Sequence, residues 1–520
     1  MPMKHATTLA AIVAAAYCLC GHARAADQPA RPPGAIGQID TVVVIYAENR
    51  SFDDLYGAFP GANGLANAST ASRTQRDRDG GVMKELPPIW GGLTGKGVEP
   101  VINEAQTAHL PNKPFAIDDP HGFNLPLSVI TRDLWHVFYQ NQMQIDGGKN
   151  DKFAAWADSG GLVMGHYTTN PTNLPLWQVA KKYTLADNFF QAAFGGSFLN
   201  HQWLVCACTP VYPDADKSPA KDRIAAVDDT GTALKVADNS PKSAIDGPPK
   251  FVRDGAITPD FFIVNTSAPP YQPSFVKPAE GGDTALADPS NPATVPPQTQ
   301  KHIGDLLSAK GIDWAWYAGA WQMALDHDPD LSKVVFQFHH HPFNYFADMA
   351  PGTDARKQHL RDGGRDGVEF IKAIDAGSLP PVTFYKPQGN LNEHSGYAAV
   401  LAGDQHIADI VAHLEKSPQW PHMLVVITYD ENGGIWDHVA PPKGDRWGPG
   451  SRIPALIVSP YAKHGFVDHA VYDTTSILAF ITKRFGLDEL PGLKAREAAL
   501  KAHGKSLGDL TGALTATARP

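Results

Sequence analysis

A chain of 520 residues with 43% hydrophobic and 19% charged residues is too long for one small core and too apolar for a disordered protein, and its 44 prolines and 47 glycines announce long loops. The formal charge is −10; without residues 1–25, which carry Lys4 and Arg24, 42 basic residues face 54 acidic ones, a charge of −12. Such an acidic chain excludes a non-specific binder of nucleic acid or anionic membrane.

In chain order, residues 1–25 read as an export signal: Lys4 and His5, an apolar stretch at residues 7–20, and an Ala23-Arg24-Ala25 cleavage site. No later run reaches the ~18 apolar residues a membrane span needs, so a periplasmic or secreted protein without stable membrane insertion is expected. Residues 26–38 look like a tail. Residues 26–520 are expected to form one domain with a Pro-rich insertion or lid at about 209–300. Only Cys206 and Cys208 survive cleavage; two apart in sequence, they are expected as buried thiols rather than a disulfide.

The β-branched run 41–46 predicts a strand that ends in Glu48 and Asn49, two oxygen donors suited to a hard cation. Ser51 or Asn49 can equally cap a helix with Asp53 and Asp54 in its first turn. Residues 61–130 are turn-rich. His136 opens a polar, aromatic helix that stops at Gly147-Gly148. Residues 184–190 predict a strand leading to Gly195-Gly196-Ser197, a serine on a glycine turn at the start of an apolar helix, where it either caps the helix or faces a phosphoryl oxygen. Residues 305–310 close a helix and 313–316 read as a short strand. The run 333–338 looks like a strand end before His339, His340 and His341, of which one or two can act together. A strand at 381–386 precedes a loop with Glu393 and His394. Residues 403–417 suit an amphipathic helix and 453–459 a strand, and a helix is expected over 471–484. Residues 424–428 form a continuous apolar run, expected of a central parallel strand covered on both faces, and Asp430 and Glu431 follow at once. Two adjacent carboxylates at a strand end are either a solvated turn or hold a cation between them.

Strand ends of a parallel sheet gather on one edge, where such folds bind ligands. Glu48, Asn49, Asp430 and Glu431 would there meet a serine on a helix start and several imidazoles. That inventory fits metal-assisted phosphoryl transfer, with protonated histidines holding phosphoryl oxygens and protonating the leaving group. Imidazoles that must be protonated imply an acidic optimum, below about 6.5.

The chain also resembles the phospholipase-C-like phosphoesterases, and within them the exported bacterial acid phosphatases. The matching residues are 44–53 (VIYAENRSFD), Asp146-Gly-Gly-Lys149, Gly195 to Ser197, His339-His340 with Pro342 to Tyr345, His394 with Gly396-Tyr397, and Tyr429-Asp430-Glu431 with Gly434 and Asp437-His438-Val439. The resemblance implies an α/β, alkaline-phosphatase-like three-layer sandwich with a central, mostly parallel sheet and irregular insertions. It implies a single metal on Glu48, Asn49, Ser197, Asp430 and Glu431, with Ser197 as nucleophile. It implies that His136, His340 and His394 contact the phosphoryl group with His339 close by; His438 has no firm role. The phospholipase branch commonly has a threonine in a Gly-Pro-Thr context, so Gly-Gly-Ser favours the phosphatase branch. The reading is a metal-dependent acid phosphatase acting on small phosphomonoesters through a phosphoserine. The oxygen donors favour Ca²⁺, with Zn²⁺ or Fe open, and oligomeric state is unassigned. Two readings compete: a phospholipase C whose quaternary-ammonium cage would draw on Trp135, Trp316, Trp321 and Trp436, and a non-catalytic binder of phosphate or metal.

Overall fold

Nine strands make one sheet in the computed structural model, which describes residue 1 and residues 31–168 and 171–518. The strands are β1 (Thr41–Ala47), β2 (Thr184–Phe190), β3 (Trp314–Gly319), β4 (Leu360–Gly364), β5 (Val382–Lys386), β6 (Met423–Tyr429), β7 (Arg452–Val458), β8 (Phe466–Asp468) and β9 (Tyr472–Asp473). Their order is β8-β2-β7-β6-β1-β5-β3-β4, with β9 also beside β2. Every pairing is parallel except those of β7, which runs antiparallel to β2 and to β6. The expected α/β class with a mostly parallel sheet is thus borne out. The calls on residues 2–25 lie outside the described residues.

The apolar runs explain the centre of this sheet. Every residue of β1 and β6 is buried, as a strand covered on both faces requires. The two strands pair along their whole length, Thr41 with Met423 through Ala47 with Tyr429. Helices Pro175–Lys182, Val368–Asp375 and Val400–Leu414 pack into one group, and Ser197–Cys206, Ile303–Ala309 and Thr475–Phe485 into another. Residues 209–300 hold short 3₁₀ turns and isolated bridges. They are anchored rather than free: the Arg78 guanidinium donates to Ser243 O at 3.1 Å and Gly247 O at 2.8 Å.

Four expectations need correction. The run 333–338 is no strand end: a helical turn, Leu331–Val334, and a 3₁₀ turn, Phe338–His340, occupy it. The helix expected from 471 begins at Thr475, because Tyr472–Asp473 pairs with β2. The tail reading fails at Ala35–Gln38, a 3₁₀ turn that buries Ile36. Cys206 and Cys208 form a disulfide, S–S 2.11 Å. Cys206 ends its helix, and Ala207 turns left-handed (φ 48°), which brings the two Cα atoms to 5.1 Å, within bridging range. Closing so short a loop removes little chain entropy. Replacing both cysteines with serine is therefore expected to cost only about 1.5 kcal/mol in urea unfolding; a loss of twice that would show the bridge holding more than its own turn.

Candidate active site

β1 and β6 end side by side, and Asp430 N donates to Ala47 O at 3.1 Å, so Glu48 and Asp430 leave the sheet together. Glu48, Asn49, Asp430 and Glu431 are all fully buried. Asp430 Oδ1 accepts from the backbone N–H of Asn49 (3.2 Å) and of Glu431 (2.8 Å), while its Oδ2 has no hydrogen-bond partner among the described residues. Asn49 takes a left-handed conformation (φ 58°), which asparagine tolerates better than most residues. Burial, then the charge of Asp430, pushes the carboxyls of Glu48 and Glu431 well above their ordinary range.

Ser197 arrives from β2, three strands away from β1 on the far side of β7 and β6. The loop after Phe190 brings it across, and two glycines are needed there. A Cβ on Gly195 (φ 86°) would lie 2.4 Å from Phe138 N, and one on Gly196 would lie 2.4 Å from His136 O. The Asn200 amide holds this turn by donating to Gly195 O (3.3 Å) and Gly196 O (3.2 Å). Gly196, not Ser197, is the N-cap of helix Ser197–Cys206. The capping alternative is thereby removed, and the Ser197 hydroxyl donates to Glu48 Oε2 at 3.0 Å. Ser51 does cap its helix, as expected, accepting from Asp54 N.

The imidazoles form the wall. His340 Nε2 lies 3.2 Å from Glu48 Oε1, and His136 Nε2 lies 3.9 Å from Glu431 Oε1. The rings of His136 and His394 meet edge to face at 5.5 Å, and His339 meets His340 at 4.5 Å. All nine residues expected from the sequence are thus brought to one pocket. Burial, then the nearby Lys386 ammonium, pushes His339 and His340 below the ordinary imidazole value, and burial with His136 does the same to His394. Such surroundings favour the neutral imidazole, and an anion set against the rings favours the protonated one.

Two residues of the pocket escaped the sequence reading. Lys386, the last residue of β5, places its ammonium against Glu48 Oε1. His201, one turn after Ser197 on the same helix face, is fully buried and has Nε2 3.9 Å from Glu48 Oε1 and Nδ1 3.8 Å from Asp430 Oδ2. A lysine closing an otherwise apolar strand, and a histidine four residues after a candidate nucleophile, were the available signals.

The donor set fits a divalent cation. One ligand atom each from Glu48, His201 and Asp430 lie within 4.8 Å of one another. The side-chain oxygen of Asn49 faces only acceptors, 2.9 Å from Glu48 Oε2 and 2.8 Å from Glu431 Oε1. Oxygens crowd in this way around a shared cation; otherwise a half-turn of the amide lets its NH₂ donate to both carboxylates.

A second buried cluster braces the pocket from below. Arg452, fully buried, donates to Asp437 Oδ1 (2.9 Å) and Asp53 Oδ1 (3.0 Å), and His438 Nδ1 lies 2.6 Å from Asp53 Oδ2. Burial alone would raise Asp53, but Arg452 and His438 outweigh it and hold it low. His438 therefore belongs to this brace. Of the tryptophans considered for an ammonium cage, Trp316, Trp321 and Trp436 are buried in the core, and Trp135 packs on Phe251 at 6.2 Å. A cavity of about 800 Å³ is lined by Gly147, Gly148, Phe138, Met143, Trp156 and Arg446 among others. No helix of the described residues is long and apolar enough to cross a membrane.

The profile of the Phosphoesterase family matches residues 39–488. Among curated relatives, phospholipase C B of Mycobacterium tuberculosis is 23% identical over 94% of this chain and 80% of that protein. The non-hemolytic phospholipase C of Pseudomonas aeruginosa is 26% identical over 35% of this chain and 29% of that protein, so the match spans under a third of its length. The non-hemolytic phospholipase C of Burkholderia pseudomallei is 33% identical over 35% of this chain and 29% of that protein. A solved protein of the alkaline phosphatase superfamily from Vibrio parahaemolyticus overlaps 70% of this chain and 67% of its own at 10% identity, with a TM-score of 0.32.

Proposed function

The chain belongs to the Phosphoesterase family, and from that premise we propose that it is an exported, metal-dependent phosphomonoesterase that passes its phosphoryl group through Ser197. The observation that carries this is the Ser197 hydroxyl donating to buried Glu48 at 3.0 Å, beside the free oxygen of Asp430. Pure binding needs no nucleophile there, so the non-catalytic reading loses ground. In the proposed reaction Ser197 Oγ attacks phosphorus in line and its proton passes to Glu48 Oε2. The bond to the departing alcohol breaks, and an imidazole of the wall protonates that oxygen. Substrate supplies the condition for this: a phosphoryl dianion against His340 and His394 favours their protonated forms. Water then displaces Ser197, giving one proton to the imidazole while Glu48 returns its own to the departing Ser197 Oγ, and phosphate leaves. A divalent cation, held by Glu48, Asn49, Asp430 and Glu431 with Ser197 and His201 beside them, would neutralise phosphoryl charge and lower the serine's pKa.

Two comparisons test the reading. Chelator-stripped protein is expected to gain about 2.7 kcal/mol of stability with cation at a hundred times its Kd, seen as a raised Tm. Failure of Ca²⁺, Mg²⁺, Mn²⁺, Zn²⁺ and Fe²⁺ alike to raise it would remove the cation from the proposal. The curated relatives favour a second reading, a phospholipase C that releases a phosphorylated head group. The burial of three of the four candidate cage tryptophans weighs for the monoester. Rates on an aryl phosphate and on the matching aryl phosphocholine ester separate the two.

A further inference from the structure

We propose that Lys386 is a positioning residue of this pocket: its ammonium holds one oxygen of Glu48 so that the other meets Ser197, and it sets the pocket's net charge to match a divalent cation. The inference rests on the phosphoester-hydrolase reading of the site.

The two oxygens of Glu48 have separate duties. Lys386 contacts Oε1, and Ser197 donates to Oε2 at 3.0 Å. The lysine is fixed from several sides: β5 pairs with β1 up to Ile45 and Tyr385, the ammonium lies 3.4 Å from Ala47 O and 5.4 Å from the centre of the Tyr46 ring, and only 1% of the residue is exposed. A carboxylate gripped at one oxygen cannot rotate, so the serine's proton acceptor stays aimed. Without Lys386, Glu48 Oε1 keeps, among the described residues, the imidazoles of His340 at 3.2 Å and His201 at 3.9 Å.

The charges point the same way. Glu48, Asp430 and Glu431 bring three buried carboxylates, and Lys386 brings one ammonium. Arg50, next along the chain, is spent elsewhere, on Asp54 Oδ2 at 3.1 Å and Glu393 O at 2.7 Å. Among these buried groups two negative charges therefore remain, and a divalent ion cancels them; half-exposed Asp133 stands outside this set, 3.7 Å from His136 Nδ1. Replacing the ammonium with an apolar side chain of like length leaves three, which a trivalent ion cancels. Coulomb energies at these separations change affinity by an order of magnitude or more per unit charge.

The test uses full-length, chelator-stripped protein with Ca²⁺ and La³⁺ as probes, ions of similar size and different charge, titrated by calorimetry. Lys386→Met is expected to raise the La³⁺-to-Ca²⁺ affinity ratio at least about tenfold and to lower kcat about a hundredfold, while Lys386→Arg keeps the wild-type ratio and most of kcat. A ratio in Lys386→Met within about twofold of wild type overturns the proposal, as does a kcat within about threefold. If stripped Lys386→Met does not fold, La³⁺ is expected to refold it at lower concentration than Ca²⁺, and equal requirement for the two ions overturns the proposal. Hydrolysis that survives Ser197→Ala would instead sink the nucleophile and leave the ion ratios standing, so the two failures are told apart.

Discussion

Ser197→Ala is expected to lower kcat for phosphoester hydrolysis by ~10³-fold or more while leaving the fold and cation binding in place. The hydroxyl is the nucleophile in the proposed reaction, and the helix it opens is capped by Gly196, so its removal costs no capping bond. Its hydrogen bond to Glu48 is lost, but Glu48 keeps Lys386. Acid quenching of wild-type turnover is expected to leave a phosphoryl group on the peptide that contains Ser197, detected by mass, and none on the alanine variant. Wild-type kcat in a folded Ser197→Ala protein would rule out the covalent route. A phosphorylated variant peptide would move the nucleophile to another residue of the pocket.

Arg452→Met is expected to cost about 3–5 kcal/mol in urea unfolding. The guanidinium lies between Asp53 and Asp437 and also donates to Asn63 O (2.7 Å) and Asp187 O (2.8 Å). Its removal leaves two carboxylates buried beside each other with the His438 imidazole, 2.6 Å from Asp53 Oδ2, as a weaker partner. The brace also joins the turn after β1 to the segment after β6, since Asp53 N donates to Asp437 Oδ2 at 3.0 Å and Ser51 Oγ to Trp436 O at 2.9 Å. A weakened brace should therefore loosen the spacing of Glu48 and Asp430, and cation affinity should fall with stability. A loss under about 1 kcal/mol would mean that water or His438 takes over the guanidinium's place.

Much of this pocket was legible before any coordinates. β1, β5 and β6 are apolar runs that stop at polar residues, and a strand buried on both faces has little other way to be written. Glu48, Asn49, Asp430 and Glu431 follow such runs directly, and Ser197 announces itself by two glycines. Where local pattern misled, the cause was long-range. The run 333–338 has a strand's composition, but it pairs with no strand of the sheet and closes into turns. Tyr472–Asp473 belongs to β9 because β2 offers an edge there.

By itself, then, the sequence determined the strands at the heart of the sheet and the residues that end them, because burial on both faces leaves a continuous apolar signature. Only the tertiary structure decided who meets whom. It set β5 beside β1, so that Lys386 reaches Glu48, and turned His201 inward. Ala207, in the left-handed region, brought two cysteines within bonding distance. Each of these depends on pairing and direction between segments far apart or on one backbone angle, and neither leaves a periodic trace in the chain.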